Sequence, residues 1–268
     1  MNITVYLGSR CGNRSCYAEY AYALGSWIAR HGHTLVYGGS RTGLMGKLAD
    51  GALQVGGQVI GVEPQFFMDE ELQHEGLTKL IVTPDMTSRK QQMMDLGDIF
   101  LAFPGGIGTL EEISQVMSQV KLHQMEGRFA FLDFDGYYQP MKALIQQMSD
   151  EGFVDEDWAD AVPFLPSFAA LTAFVLGRDL PRPGETWRHF KNHMYRILDL
   201  ADDAETGETY VVYKTLYGEY RDFIRPLDMF LSEVDHDKYP DVRQKWRFEK
   251  TAGLCSWKPA ISSQYLKK

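Results

Sequence analysis

Short apolar runs alternate with longer amphipathic ones through the first two-thirds of the chain. Runs such as Ile3-Thr4-Val5-Tyr6-Leu7 and Ile99-Phe100-Leu101-Ala102-Phe103 have strand length and are bounded by glycine or proline. The pattern predicts strands over 2–8, 34–38, 58–63, 79–83, 98–103 and 129–134. It predicts helices over 15–31, 43–56, 87–96, 109–124, 138–149 and 167–177. Strand–helix alternation of this kind implies an α/β, Rossmann-like doubly wound parallel sheet covered by helices. Ligands of such sheets lie beyond the carboxyl ends of the strands. Gly8, Gly38, Pro84 and Pro104 each close a predicted strand, so their turns should meet along one rim.

The alternation stops at Leu180-Pro181-Arg182-Pro183-Gly184, whose prolines and glycine read as a linker. Residues 1–180 therefore form one expected domain. Residues 184–250 form a second, small and β-rich, and 251–268 a tail. In the second, strands are predicted over 195–200 and 209–214 with a turn between them. Phe223 to Leu227 suits an edge strand, because proline donates no ladder hydrogen bond.

Composition narrows the function classes. The 268 residues carry a formal net charge of −9, which argues against nonspecific nucleic-acid binding. No apolar run reaches the roughly 20 residues of a membrane helix, and the start shows no signal-peptide layout. Cys11, Cys16 and Cys255 have no metal-ligand spacing and suit a reducing cytoplasm. His189 and His193 could pair on a metal only with a further ligand. Neither a metal nor a cofactor is expected.

The chemistry concentrates in Pro104-Gly105-Gly106-Ile107-Gly108-Thr109-Leu110-Glu111-Glu112, between a strand and a helix. Bare backbone N–H groups and the positive helix end suit an anion such as phosphate. The spacing is neither a dinucleotide fingerprint nor a Walker loop: the third glycine is replaced by Glu111, and Gly46-Lys47 is followed by Leu48. Thr109 to Glu112 also reads as a capping box, with Thr109 as N-cap and Glu112 at the third helical position. Arg89 and Lys90 open the preceding helix, where cations oppose the local dipole. An anion shared between the two helix starts would account for them.

These motifs together resemble the Lonely Guy (LOG) family, once mislabelled as lysine decarboxylases. The match comprises Pro104 to Glu112, the pair Arg89-Lys90, and Gly38-Gly39 followed by Gly43-Leu44-Met45-Gly46. Gly8-Ser9 and Asp133 to Tyr138 add to it. The resemblance spans about residues 1–180. It implies hydrolysis of the N-glycosidic bond of nucleoside 5′-monophosphates, AMP or cytokinin riboside 5′-monophosphate, to free base and ribose 5-phosphate. It implies Arg89 and Glu112 as the catalytic pair. Gly8, Ser9, Gly38, Gly39, Lys90, Gly105, Gly106, Gly108 and Thr109 would bind the substrate and its phosphate, and Glu71 aligns with an acid that contacts the nucleotide. Met117 stands where plant members have a ligand-contacting threonine. The resemblance also implies a homodimer, and the apolar stripe Ile113, Val116, Met117 and Val120 could serve it or face the subunit's own core. No Schiff-base lysine context or pyridoxal signature supports the decarboxylase label. Alternatives are a nucleotide or molybdenum-cofactor-type carrier on the same sheet, and a nucleotide-regulated interaction protein. The second region resembles a little-characterised bacterial domain through Trp187-Arg188-His189-Phe190-Lys191, Glu205-Thr206, Val211-Val212-Tyr213 and Leu216-Tyr217-Gly218.

Overall fold

The computed structural model describes residues 1–68 and 72–251, so Glu71, Cys255 and the expected tail beyond 251 lie outside the described residues. The chain divides into two compact units between Ser167 and Phe168. The first contains β1 (Asn2–Tyr6), α1 (Cys16–Arg30), β2 (Thr34–Tyr37), α2 (Gly43–Gln54), β3 (Gln58–Pro64), α3 (Gln65–Met68) and β4 (Lys79–Thr83). It continues through α4 (Met86–Leu96), β5 (Ile99–Ala102), α5 (Ile107–Lys121), β6 (Arg128–Leu132), α6 (Gln139–Asp150), α7 (Glu156–Ala161) and β7 (Phe164–Leu165).

Its seven strands run in the order β4-β3-β2-β1-β5-β6-β7, and every neighbouring pair is parallel. All six predicted strands of this region are present, with bounds that differ by up to two residues at an end. The seventh, β7, is only two residues long, too short to leave a periodic trace. Strands β1, β2 and β5 read as near-continuous apolar runs because both faces are covered, as parallel sheets require. Ile3, Val5, Leu35, Phe100 and Leu101 are wholly buried. The chain order turns outward in both directions from β1, so β1 and β5 flank a topological switch point.

Helices α1 and α2 pack with their backbones nearly touching. A Cβ on Gly25 would stand 1.9 Å from the Leu48 carbonyl oxygen, and one on Gly51 would stand 2.0 Å from that of Tyr22. Asp155 stands extended at the N-cap of α7, and Glu156 and Asp157 lie in its first turn, where the helix dipole favours acids. Ile113 and Val116 are buried in their own subunit, with Met117 and Val120 packed on the same core.

The second unit consists of α8 (Phe168–Leu176), β8 (Thr186–His189), β9 (Met194–Asp202), β10 (Thr209–Thr215), β11 (Asp222–Pro226), α9 (Leu227–Leu231) and β12 (Phe248–Lys250). Its antiparallel sheet runs β11-β10-β9-β8-β12. β11 lies at the edge, where its terminal proline costs no ladder bond. Although the sequence pattern groups 168–180 with the first domain, Ala169 and Ala173 of α8 join a core with Trp187, Tyr213, Phe230 and Phe248. The helix is apolar all round, and such a helix does not reveal its partner by periodicity.

The α1–α2 contact generates a stability prediction. Gly25→Ala should cost roughly 1–3 kcal/mol through overpacking against backbone, measured by urea unfolding of the first unit. Ala23→Gly, on the same helix, should cost only about 1 kcal/mol from lost helix propensity. Equal losses would refute the close-packing account.

Candidate active site

The turn after β5 carries the glycine motif, and its carbonyls point away from the helix start. The Gly8 N–H donates to the Pro104 carbonyl at 3.2 Å, and the Tyr137 hydroxyl donates to the Gly105 carbonyl at 2.5 Å. The first α-helical bond of α5 runs from Leu110 N–H to the Gly106 carbonyl. Gly106 is the N-cap, in extended conformation, and no side chain caps the helix. The N–H groups of the first turn are thereby left to the outside, the arrangement that suits an anion.

The glycines divide by role. A Cβ on Gly105 would meet Thr109 Oγ1 at 2.2 Å and the Gly8 nitrogen at 2.8 Å, so close packing requires glycine there. Nothing lies within 4 Å of a Cβ on Gly106 or Gly108. These two face open space, where a bulky ligand group could approach the backbone.

Thr109 is not the N-cap. The helix begins two residues earlier, and Thr109 is buried in its first turn against Gly105. Nor does Glu112 fold back onto its own helix start. It accepts from Arg89 Nη1 at 2.5 Å, and both side chains are about nine-tenths buried. The capping-box reading fails because a buried guanidinium competes more strongly for the carboxylate than an exposed backbone amide does.

Arg89 is held at three points. Nε donates to the Val62 carbonyl at 3.0 Å, Nη1 binds Glu112, and Nη2 lies where a Cβ on Gly38 would stand only 2.5 Å away. Glycine at 38 is what admits the guanidinium. Gly39 has φ +85°, a left-handed conformation that favours glycine. Helix α4 starts behind Asp85, whose carboxylate accepts from the Ser88 N–H at 2.8 Å. That cap explains how the helix tolerates cations in its first turns. Lys90 Nζ binds Glu111 Oε1 at 2.5 Å on the exposed side. Both cations of α4 are therefore paired with acids of α5, not left waiting for a shared anion. Ser9 is exposed on the β1–α1 loop, whose backbone packs on Gly43 at the start of α2.

Burial pushes the Glu112 carboxyl above the ordinary glutamate value, and the Arg89 guanidinium offsets part of that shift. Tyr6 is buried within the field of the same pair, and its phenol is raised chiefly by burial and then by Glu112. Sequence reasoning missed Glu63, which is 1% exposed in β3 with Oε2 unpartnered among the described residues. It lies against Gly39, and burial raises it while Arg89 lowers it. An acid inside the apolar run Val59 to Pro64 was the available signal.

The structure thus brings Gly8, Gly105 and Thr109 into contact with one another, and Gly38 and Glu112 into contact with Arg89. Residues 45–173 match a family described as possible lysine decarboxylase. A cytokinin riboside 5′-monophosphate phosphoribohydrolase of Rhodococcoides fascians is 42% identical over 154 residues, which cover 57% of this chain and 78% of that protein. The chain belongs to the LOG family. A second member, from Arabidopsis thaliana, is 36% identical over 152 residues, 57% of this chain and 67% of its own length. The LOG match is confined to the first part of the chain. Residues 185–250 match a separate family, a protein of unknown function designated DUF1653. Among solved structures, the molybdenum cofactor carrier protein of Chlamydomonas reinhardtii has a TM-score of 0.51 at 22% identity, covering 65% of this chain and 94% of that one. Likeness at that level shows a shared fold.

The two glycine classes make opposite predictions. Gly105→Ala should lower the thermal midpoint, because its Cβ meets backbone and a buried side chain. Gly108→Ala, whose Cβ enters open space on a helix, should not lower the midpoint while weakening inorganic phosphate affinity several-fold. Thermal melts and phosphate titration of both variants would check this, and identical behaviour would refute the division.

Proposed function

We propose that this chain hydrolyses the N-glycosidic bond of nucleoside 5′-monophosphates, releasing free base and ribose 5-phosphate. The observation that carries the reading is the buried Arg89–Glu112 pair beside an uncapped, glycine-opened helix start. The first-turn N–H groups of α5 hold the 5′-phosphate, supported by the Gly8-Ser9 and Gly38-Gly39 turns. Phosphate binding supplies remote energy that the chemical step draws on.

Cleavage breaks the bond from the anomeric carbon to the base nitrogen. The electron pair leaves with the base, which takes up a proton, and positive charge builds on the sugar. A water oxygen then bonds to the anomeric carbon and loses a proton. Glu112, as a carboxylate, stabilises the developing charge and orients that water. Arg89 has two donors committed, to Val62 and Glu112, so its main work is to fix Glu112. Its remaining N–H groups are available to ligand oxygens. A carrier on the same sheet would need the glycine cradle and no buried carboxylate at its edge.

We further infer a homodimer in the cytoplasm. Support for the dimer comes from exposed apolar side chains on α5 and α6, Leu110, Leu144 and Met148. Replacing Leu144 and Met148 together by glutamate should halve the mass found by light scattering, and an unchanged mass would defeat the assignment of that face. Among the described residues, no helix is long and apolar enough to cross a membrane.

The reaction is tested with a panel of 5′-monophosphates and their nucleosides, following free base by chromatography. AMP should be cleaved with kcat/KM at least about 100-fold above adenosine. Glu112→Ala should lower kcat by roughly 10²–10⁴-fold. The carboxylate must be ionised and its pKa is raised, so kcat should fall with decreasing pH at a limb above the ordinary value of 4.5. Arg89→Met removes the lowering influence and should move that limb to higher pH. Equal rates on AMP and adenosine, or full activity in Glu112→Ala, would reject the reaction.

A further inference from the structure

The second unit carries a corner that the reaction does not use. His189, at the end of β8, is half-buried, and its ring packs 4.7 Å from that of Phe248 across the β8–β12 pair. The Lys191 N–H donates to His189 Nδ1 at 3.3 Å. That bond makes Nδ1 the acceptor and leaves the ring proton on Nε2, so His189 presents a neutral donor.

Three cations converge on this ring. Arg225 comes from β11, with Cζ 5.9 Å over the Phe248 ring and Nε donating to the Tyr213 hydroxyl at 3.3 Å. Arg247 stands one residue before β12 and donates to Ser232 Oγ at 3.2 Å. Lys191 lies 5.3 Å over the Tyr239 ring. Burial, followed by Arg225, Arg247, Lys191 and His193, pushes the His189 pKa down to about 4. Among the described residues, none of the three cations has a carboxylate within salt-bridge distance. Five other cations of the same unit, Arg188, Lys214, Arg221, Lys245 and Lys250, do have acid partners.

Like charges gathered on a half-buried imidazole repel one another, and no acid among the described residues forms an ion pair with them. Aromatic faces, single hydroxyls and, for Arg225, the Met229 sulfur at 3.2 Å hold these cations in place without a carboxylate partner among the described residues. Beside them, Tyr195 and Tyr217 join their hydroxyls at 2.8 Å, and Tyr217 is 39% exposed with His193 stacked on its ring. Fixed cations, a neutral N–H donor and exposed flat rings together match a phosphate attached to an aromatic group. A polyanion is a poorer fit, since the whole chain carries net charge −9.

We propose that the His189, Lys191, Arg225 and Arg247 corner of the second unit is a binding site for a small aromatic phosphate ester, a nucleotide, separate from the catalytic crevice. The phosphate lies on the cations and the His189 Nε2–H, and the base lies on the Tyr217–His193 side. The site involves no residue of the LOG motifs, so it stands whether or not the hydrolytic reading does.

The test uses full-length Glu112→Ala protein, titrated calorimetrically at low salt with AMP and, separately, with inorganic phosphate. The His189 ring is followed by NMR in the same samples. AMP should bind in a class that Arg89→Ala leaves intact, with phosphate at least about tenfold weaker. Lys191→Gln and Arg225→Gln should each weaken that class about tenfold or more, and Lys191→Arg should retain it. Lys191 is exposed, so its variant folds even if Arg225→Gln does not. Bound anion should raise the His189 pKa. No such class, equal affinity for AMP and phosphate, indifference to Lys191→Gln, or binding of an oligonucleotide with AMP silent would each overturn the proposal.

Discussion

The crevice of the first unit depends on how Arg89 is fixed. A guanidinium presents donors in a rigid plane, and here backbone, carboxylate and a side-chain-free glycine occupy three sides of that plane. A buried ion pair is poor evidence for stability, because desolvating both ions offsets most of their attraction. Its value lies in position: Glu112 is held to one rotamer at the opening of the glycine turn. Removing either partner would strand the other charge, so the two residues stand or fall together.

Around that pair the backbone is arranged by subtraction. Pro104 and Gly105 direct their carbonyls backward, into the Gly8 amide and the Tyr137 hydroxyl, and what remains facing forward is N–H. The anion affinity of a helix start is generic. In this protein it is made specific by three loops, after β1, β5 and β6, that all contribute to the same few peptide planes.

The sequence made much of this legible. Alternating runs located the parallel sheet, and Gly105 to Glu112 located the crevice, because glycine in a strand-to-helix turn has few other uses. The start of α5 at Ile107 was obscured by the cap potential of Thr109, a local preference overridden when Arg89 claimed Glu112. β7 is too short for periodicity to report. The apolar helix α8 hides its partner, so its place in the second core was not readable. Glu63 and the cation corner escaped because burial and convergence are properties of contacts between segments distant in sequence. His189 was visible as a residue, but Arg225 and Arg247 join it only through strand pairing.

The near-contact of α1 and α2 has a bearing on redesign. Each of these helices begins at a loop bordering the crevice, and with Leu48 and Tyr22 pressed on bare α-carbons neither can slide or tilt alone. Attempts at redesign should therefore leave this pair of helices untouched and be aimed at α4 and α5, where the Lys90–Glu111 pair can be altered without disturbing a backbone seam.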